Sequence, residues 1–326
     1  MAGAIDQAIA TVRASSGTAL DLSGLRFRKL RESVRDLTTL THLDLSSNQL
    51  ATLPDWIGEL TALTELDLRG NALTELPQTI GNLTALTRLD LRDNRLTGLP
   101  DPIGNLTALA ELDLYGNTLT ELPEAIGNLT ALTRLNLWNS RLTGLPDSMA
   151  NLTRLRFLEL SHNRLTALPS WVGELTALTE LRLIHNRLTS LPDAIGNLRS
   201  LTVLDAARNK LTALPDSIGE LTALTKLDLW SCDLQELPDS IGKLTALTEL
   251  DVANNHLTGL PDTIGNLTSL RKLSAYRNKL RRLPDSIGSL TALTRLDLSL
   301  NELTELPESI AGHTGLDVGG NAIAGY

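Results

Sequence analysis

The chain is short of aromatic residues, has almost no cysteine and carries no surplus of basic charge. Aromatics make up 3% of its 326 residues, so any core must be built from aliphatic side chains. Cys232 stands alone, which excludes a disulfide framework within the chain and fits a reducing, cytoplasmic setting. Lys and Arg total 29 against 38 Asp and Glu, a formal net charge of −9. Phosphate backbones and anionic bilayers call for a basic surface, so neither nucleic acid nor a membrane is the expected partner. No apolar run reaches the roughly 18 residues that a bilayer span requires. The opening stretch, MAGAIDQAIATVRASSG, lacks the basic and apolar regions of a secretory leader. The Asn-Leu-Thr sequons at Asn82, Asn105, Asn128, Asn151 and Asn266 are therefore read as by-products of a repeated phrase, not as glycosylation sites.

Chemistry-bearing motifs are missing too. GxSxG, GxxxxGK[ST], HExxH, CxxC and GxGxxG do not occur, so the sequence offers no nucleophile elbow, phosphate loop or zinc pair. Its glycines recur instead within an IGN phrase and are read as turn formers. No enzymatic activity and no cofactor are expected.

What the chain does contain is one phrase repeated throughout, LTxLDLxxNxLTxLPxxIGNLTA. Its Asn falls at 48, 71, 94, 117, 163, 186, 209, 255, 278 and 301, each 23 residues or a multiple of 23 from the next. Ser140 and Cys232 fill the two skipped places, Leu25 occupies the place before Asn48, and Asn321 comes early, twenty residues after Asn301. Within LTELDLRGN (63–71), Leu63, Leu66 and Leu68 alternate with Glu65, Asp67 and Arg69, the period of a strand with one buried face. The following ALTELPQTIGNL (72–83) is broken by Pro77 and Gly81 and reads as a turn and a short 3₁₀ or irregular stretch. One unit cannot bury its apolar edge alone, so units must stack.

These residues resemble the leucine-rich repeat, L-x-x-L-x-L-x-x-N/C-x-L, over about residues 19–322. The LPxxIGxLxxL variant is similar to intracellular Ras-group repeats, including plant, Scribble/erbin-type, Roco and bacterial examples. The resemblance implies an α/β solenoid: a right-handed horseshoe with a concave parallel β-sheet and short 3₁₀ or irregular convex segments. It implies residues 1–18 as an N-terminal capping helix, 19–310 as about twelve to thirteen units, and 311–326 as a shortened C-terminal repeat or cap. Ile5, Ile9 and Val12 share a helical face suited to covering the first unit, and Arg26, Arg28, Lys29, Arg31 and Arg35 read as a solvated outer face. The Gly-rich end fits a thin cap, association with another chain as an alternative to a monomer, or continuation into more protein. The marker Asn should satisfy loop backbone groups at the strand exit, so Ser140 and Cys232 should each cost about 1 kcal/mol locally.

Two clusters invite a metal reading. His162 and His185 occupy equivalent places on adjacent units with Glu159 nearby, and Asp21, Asp44, Asp67, Asp90 and Asp113 form a column. Exposed edge histidines are the preferred reading of the first. For the second, the preferred reading is a charge lattice neutralised by Arg69, Arg88 and Arg92. No metal site is assigned.

Against so regular a frame, exceptions on the outward strand positions carry the information. Tyr115, Trp138, Phe157 and Ile184 fall on four consecutive units, where the Asp column is interrupted by Asn136, Glu159 and Arg182. Arg134 and Arg182 accompany them, and Trp230 and Tyr276, near Lys226 and Lys272, form a second area. Aromatic residues beside Arg have the composition of interaction hot spots. Trp56 and Trp171 sit in the outer segment and are expected to pack there. The expected function is a non-enzymatic module that binds a protein or peptide on its concave face, as a scaffold or regulator of signalling. The alternatives are the recognition arm of a larger Roco-type GTPase or bacterial effector, a metal-dependent hydrolase using the histidine edge, and a consensus-designed array. Arg in excess of Lys, with abundant Ala and Thr, points to a bacterial source.

Overall fold

A computed structural model describes residues 2–323 of the chain. It divides into two compact units, Met1–Asn163 and Arg164–Tyr326. The first begins with helix α1 (Ala2–Ser15), which buries Ile5 and Ile9 and leaves Val12 half-buried. Arg13 pairs with Asp36 at 2.6 Å and Arg31 with Asp6 at 3.0 Å, linking α1 to the segment before the second strand. Arg35 pairs with Glu59 at 2.6 Å, so part of the Arg-rich stretch is spent on exposed ion pairs, which contribute little stability individually.

Seven three-residue strands follow in this unit: β1 (Ala19–Asp21), β2 (His42–Asp44), β3 (Glu65–Asp67), β4 (Arg88–Asp90), β5 (Glu111–Asp113), β6 (Arg134–Asn136) and β7 (Phe157–Glu159). Each pairs parallel to the next with a register of 23 residues, so that Leu43, Leu66, Leu89, Leu112, Leu135 and Leu158 form one continuous buried row. The residues flanking that row, such as Glu65 and Asp67, face outward, as period-two alternation requires. The second unit repeats the plan with β8 (Glu180–Arg182), β9 (Val203–Asp205), β10 (Lys226–Asp228), β11 (Glu249–Asp251), β12 (Lys272–Ser274), β13 (Arg295–Asp297) and β14 (Leu316–Asp317). Its last register is twenty residues, with Leu296 opposite Leu316. The deletion is absorbed in the outer segment while the strand and its turn are kept: Asn321 still accepts from Leu303 N–H at 3.0 Å and donates to Leu298 O at 2.9 Å.

The marker Asn forms a ladder that stitches each turn to the one before. Asn94 donates through Nδ2 to Leu91 O of its own turn and Leu68 O of the preceding one, and its Oδ1 accepts the N–H of Leu73. These are backbone groups that a strand of only three residues leaves without ladder partners. The ladder is broken once in each unit. Ser140 Oγ is buried and has no hydrogen-bond partner, because its shorter side chain reaches neither neighbour. Cys232 Sγ donates weakly to Ala206 O at 3.4 Å.

Behind the sheet, the outer segments form 3₁₀ turns such as Asp101–Asn105, entered from extended Pro100 and closed by Leu106 N–H on Ile103 O. The glycines here answer a packing demand more than a turn. Gly104 has no positive φ, but a Cβ on it would lie 2.6 Å from the carbonyl oxygen of Ala125 in the next turn. Glycine is therefore required by the spacing between turns, a cause that the reading of IGN as turn punctuation did not include. Trp56 and Trp171, in the same outer segments, are half-buried. Among the described residues no helix is long and apolar enough to cross a membrane.

Candidate binding surface on the sheet face

The outward positions are organised by the turn at each strand exit. The carboxylates of the Asp column accept the backbone N–H two residues on: Asp44 from Ser46 at 2.8 Å, Asp67 from Arg69 at 3.0 Å and Asp113 from Tyr115 at 3.1 Å. Asn136 does the same for Trp138 at 3.1 Å. The residue just before the marker then takes a left-handed conformation, with φ of 51° at Asp93, 55° at Asn139 and 56° at His162 and His185. The Asp column thus has a backbone-capping role that neither the metal nor the charge-lattice reading contained. Two of the three arginines of the expected lattice meet the column, Arg92 at Asp90 (2.6 Å) and Asp113 (3.8 Å) and Arg69 at Asp67 (3.2 Å), whereas Arg88 meets Glu111 outside it at 3.7 Å. Asp90 stabilises the Arg92 guanidinium and raises its pKa further. Burial pushes the Asp113 carboxyl up despite the Tyr115 N–H and the Asn136 amide that favour its charged form.

On this frame the first unit brings four of the selected residues into two contacts. Tyr115 and Trp138, on neighbouring turns in register, stack with ring centroids 4.4 Å apart and planes within 2°. The edge of this stack is met by His162, 5.0 Å from the Trp138 ring at 69°. Arg134, directly opposite Phe157 in the β6–β7 register, lays its guanidinium 3.7 Å above the Phe157 ring. Tyr115, Trp138 and Phe157 are half-buried and Arg134 is exposed. None of the rings enters the leucine core, so core packing does not account for them.

The remaining residues lie in the second unit. Arg182 pairs with Glu180 at 3.0 Å, and Ile184 is half-buried. Trp230 carries Arg208 at 4.6 Å over its ring, a partner the sequence reading missed. Tyr276 stands two turns further on, with buried Ala253 on the turn between. Lys226 faces Asp228 at 3.9 Å and Lys272 faces Glu249 at 2.7 Å.

His162 is engaged with Trp138, and Glu159, 7% exposed, accepts the N–H of Ser161 at 2.8 Å. Among the described residues no three His, Cys, Asp or Glu side chains gather as a metal-ligand group. Cys232 is buried, which pushes its thiol up to about 11 and leaves it protonated near neutrality, the opposite of an activated nucleophile.

Stacked in-register strands, 3₁₀ outer turns and an Asn ladder define a leucine-rich-repeat solenoid. The chain belongs to this family: a leucine-rich repeat region model matches residues 19–118, 112–207 and 192–279. A leucine-rich-repeat protein of Leptospira interrogans is similar at 32% identity over 97% of this chain and 94% of that one, with a TM-score of 0.66. The plant peptide hormone receptor RGFR1, solved in complex with RGF2, is 34% identical over 92% of this chain, with a TM-score of 0.73. This chain covers 54% of that receptor chain, about half its length. An internalin of Listeria monocytogenes is 27% identical, with coverage of 95% and 87% and a TM-score of 0.79. A search of curated protein sequences gives no significant match.

Proposed function

We propose that the chain is a non-enzymatic module that binds a protein or peptide on its sheet face. The principal contact is made by Tyr115, Trp138, Phe157 and Arg134, and further contacts by Arg182, Ile184, Trp230 and Tyr276. The observation that carries this reading is the Tyr115–Trp138 stack: two large rings aligned outside the leucine core and still partly exposed. Rigid aromatic surface of this kind gives a partner much contact area at little cost in side-chain entropy. The similar plant receptor, solved with the peptide RGF2, supports a peptide-sized occupant. A role as a cytoplasmic scaffold or regulator of signalling accords with the lone, buried, protonated cysteine and the acidic surface.

The test is an affinity capture with immobilised wild-type chain, Trp138→Ala and Tyr115→Ala, with thermal unfolding of each measured in parallel. A set of bound proteins lost from both variants while their unfolding stays near that of wild type is the expected result. Identical capture by all three, or a loss of stability matching the loss of capture, overturns the reading.

A further inference from the structure

In the second unit one outward column alternates between large and small residues. Two places before the marker it runs Ile184, Ala207, Trp230, Ala253, Tyr276 and Ser299, one to each turn from β8 to β13. Registers that pair Asp228 with Asp205 and Asp251, and Asp251 with Ser274, set these places side by side. The small residues are buried and the large ones half-buried. Ridges therefore stand two turns apart, about 9.6 Å at the spacing of paired strands. Arg208, on the turn of Ala207, lies over the Trp230 ring, so this chain partly fills the gap at Ala207 itself. The gap at Ala253 is different. Among the described residues no ring or cation covers Tyr276, and neither the Trp230 Nε1–H nor the Tyr276 hydroxyl has a hydrogen-bond partner. A hollow of about 220 Å³ over strands β10 to β13 lies on one side of this gap, and one of about 360 Å³ over the turns of Ser231, Asn254 and Arg277 on the other.

We infer that the gap at Ala253 takes a proline-rich segment of a partner, held in the polyproline II conformation and running across the strands from turn to turn. The inference rests on the proposed binding function of this face. A polyproline II chain brings every third residue to the same side, about 9.3 Å apart, which matches ridges about 9.6 Å apart. Residues on one face of a β-strand recur at about 6.7 Å and helical turns at about 5.4 Å, and neither fits. Tyr115 and Trp138 show that rings in this column can lie flat toward the next turn. For Trp230 and Tyr276 in that attitude, two carbon contacts of about 3.8 Å leave about 2 Å between them, the depth of a pyrrolidine ring or a branched aliphatic group. A polyproline II backbone forms no hydrogen bonds of its own, so its carbonyls can accept from the Trp230 N–H and the Tyr276 hydroxyl. Charge favours an uncharged occupant. In the strand-side hollow Lys226, Lys272 and Arg295 balance Asp228, Glu249 and Asp251, with Lys226 paired to Asp228 and Lys272 to Glu249. On the turn side Arg277 and Lys279 stand beside Asp233 and add donors that peptide carbonyls can use.

Short, uncharged proline-rich peptides with a leucine at every second, third or fourth position, titrated against the full chain by fluorescence polarisation, test this. The every-third set should bind most tightly, and its affinity should fall about tenfold or more on Trp230→Ala and on Tyr276→Ala. Trp230→Phe keeps a ring and removes the donor, and should cost about fivefold. Ala253→Leu should close the gap and abolish binding. The same place holds Trp230 and Tyr276 two turns apart, so the frame accepts a large side chain there and urea unfolding of Ala253→Leu should match wild type. Should that variant lose stability, the preference among spacings and the Trp230→Phe loss still decide. Equal binding by the three sets, or binding that survives a folded Ala253→Leu, overturns the inference. If no set binds while protein capture still depends on Trp138, the inference falls and the binding function stands. If neither the peptides nor the captured proteins depend on Trp138 or Trp230, function and inference fall together.

Discussion

The marker position shows what a single side chain contributes. At Asn117, Nδ2 reaches Leu114 O and Leu91 O at 2.9 Å each, and Oδ1 accepts Leu96 N–H at 3.0 Å. One turn later Ser140 makes none of these bonds. The surrounding frame is the same at both places, so Ser140→Asn should restore the missing bonds without strain. A gain of about 1–2 kcal/mol is expected, read as a higher urea midpoint at unchanged slope, and Asn117→Ser should lose a similar amount. A second residue, Asp205, sets a pH dependence. Burial, reinforced by Asp228, raises its carboxyl to about 6 from an ordinary 3.8. The folded chain then holds a proton that the unfolded chain releases, so this group favours folding in acid. That contribution is complete below pH 3.8 and is lost as pH rises through 6. The full effect is about 3 kcal/mol at most. Asn136 shows that an amide can cap the same turn, so Asp205→Asn should keep the bond to Ala207 N–H. Urea unfolding at pH 5 and pH 7.5 should find the variant more stable than wild type at the higher pH, by about 1–3 kcal/mol, and less pH-dependent. Asp67, Asp113 and Asp251 are raised by burial too and should leave a residual slope of the same sign.

At the level of one repeated element, the outer turn is as closely specified as the strand. Gly104→Ala would drive a methyl group into the Ala125 carbonyl, whereas a Cβ on Gly98 would meet nothing within 4 Å. The first substitution should cost about 1–3 kcal/mol or more and the second less than about 0.5, compared by urea unfolding. The strands themselves were legible in the sequence, because alternation over LTELDL and a constant 23-residue step leave one register that buries the leucine row. The packing of Gly104 was not legible, because the demand on it comes from Ala125 in the next turn and not from its own neighbours. At the proposed binding surface, Tyr115 and Trp138 could be placed together from their shared column. The engagement of His162 with Trp138 could not, because a left-handed residue leaves the alternation that fixes side-chain direction. The capping role of the Asp column was hidden for a related reason: a carboxylate at that spacing suits a cation, an arginine or a backbone N–H equally, and only the turn's conformation chooses among them.

Across the whole molecule, nearly every stabilising contact joins a residue to its counterpart one turn away. Leu89 meets Leu66 and Leu112, Asn94 reaches the turn of Asn71, and Gly104 meets Ala125. A fold of this kind has no centre on which all parts depend, and its stability approximates a sum of unit terms and nearest-neighbour terms. A further turn with the same neighbours should therefore be accommodated inside a unit. Duplicating residues 72–94 directly after Asn94 presents the new turn with a leucine row, an Asn and an outer glycine in register on both sides. It adds one interface without removing any, so the lengthened chain should unfold at an equal or higher urea concentration and with a steeper slope, because more surface is buried. Duplicating residues 76–98 directly after Gly98 would test the same additivity, because a 23-residue copy cut at matching positions keeps the phase of the repeat. A shift of one residue in the copy's length, taken from the strand, would move its leucines to the outward face. That variant should lose stability or aggregate. The same deletion made in the outer segment, where the step from Leu296 to Leu316 already omits three residues, should be tolerated far better. Equal damage from both deletions would show that the outer turns, and not the strand register, set the phase of the solenoid.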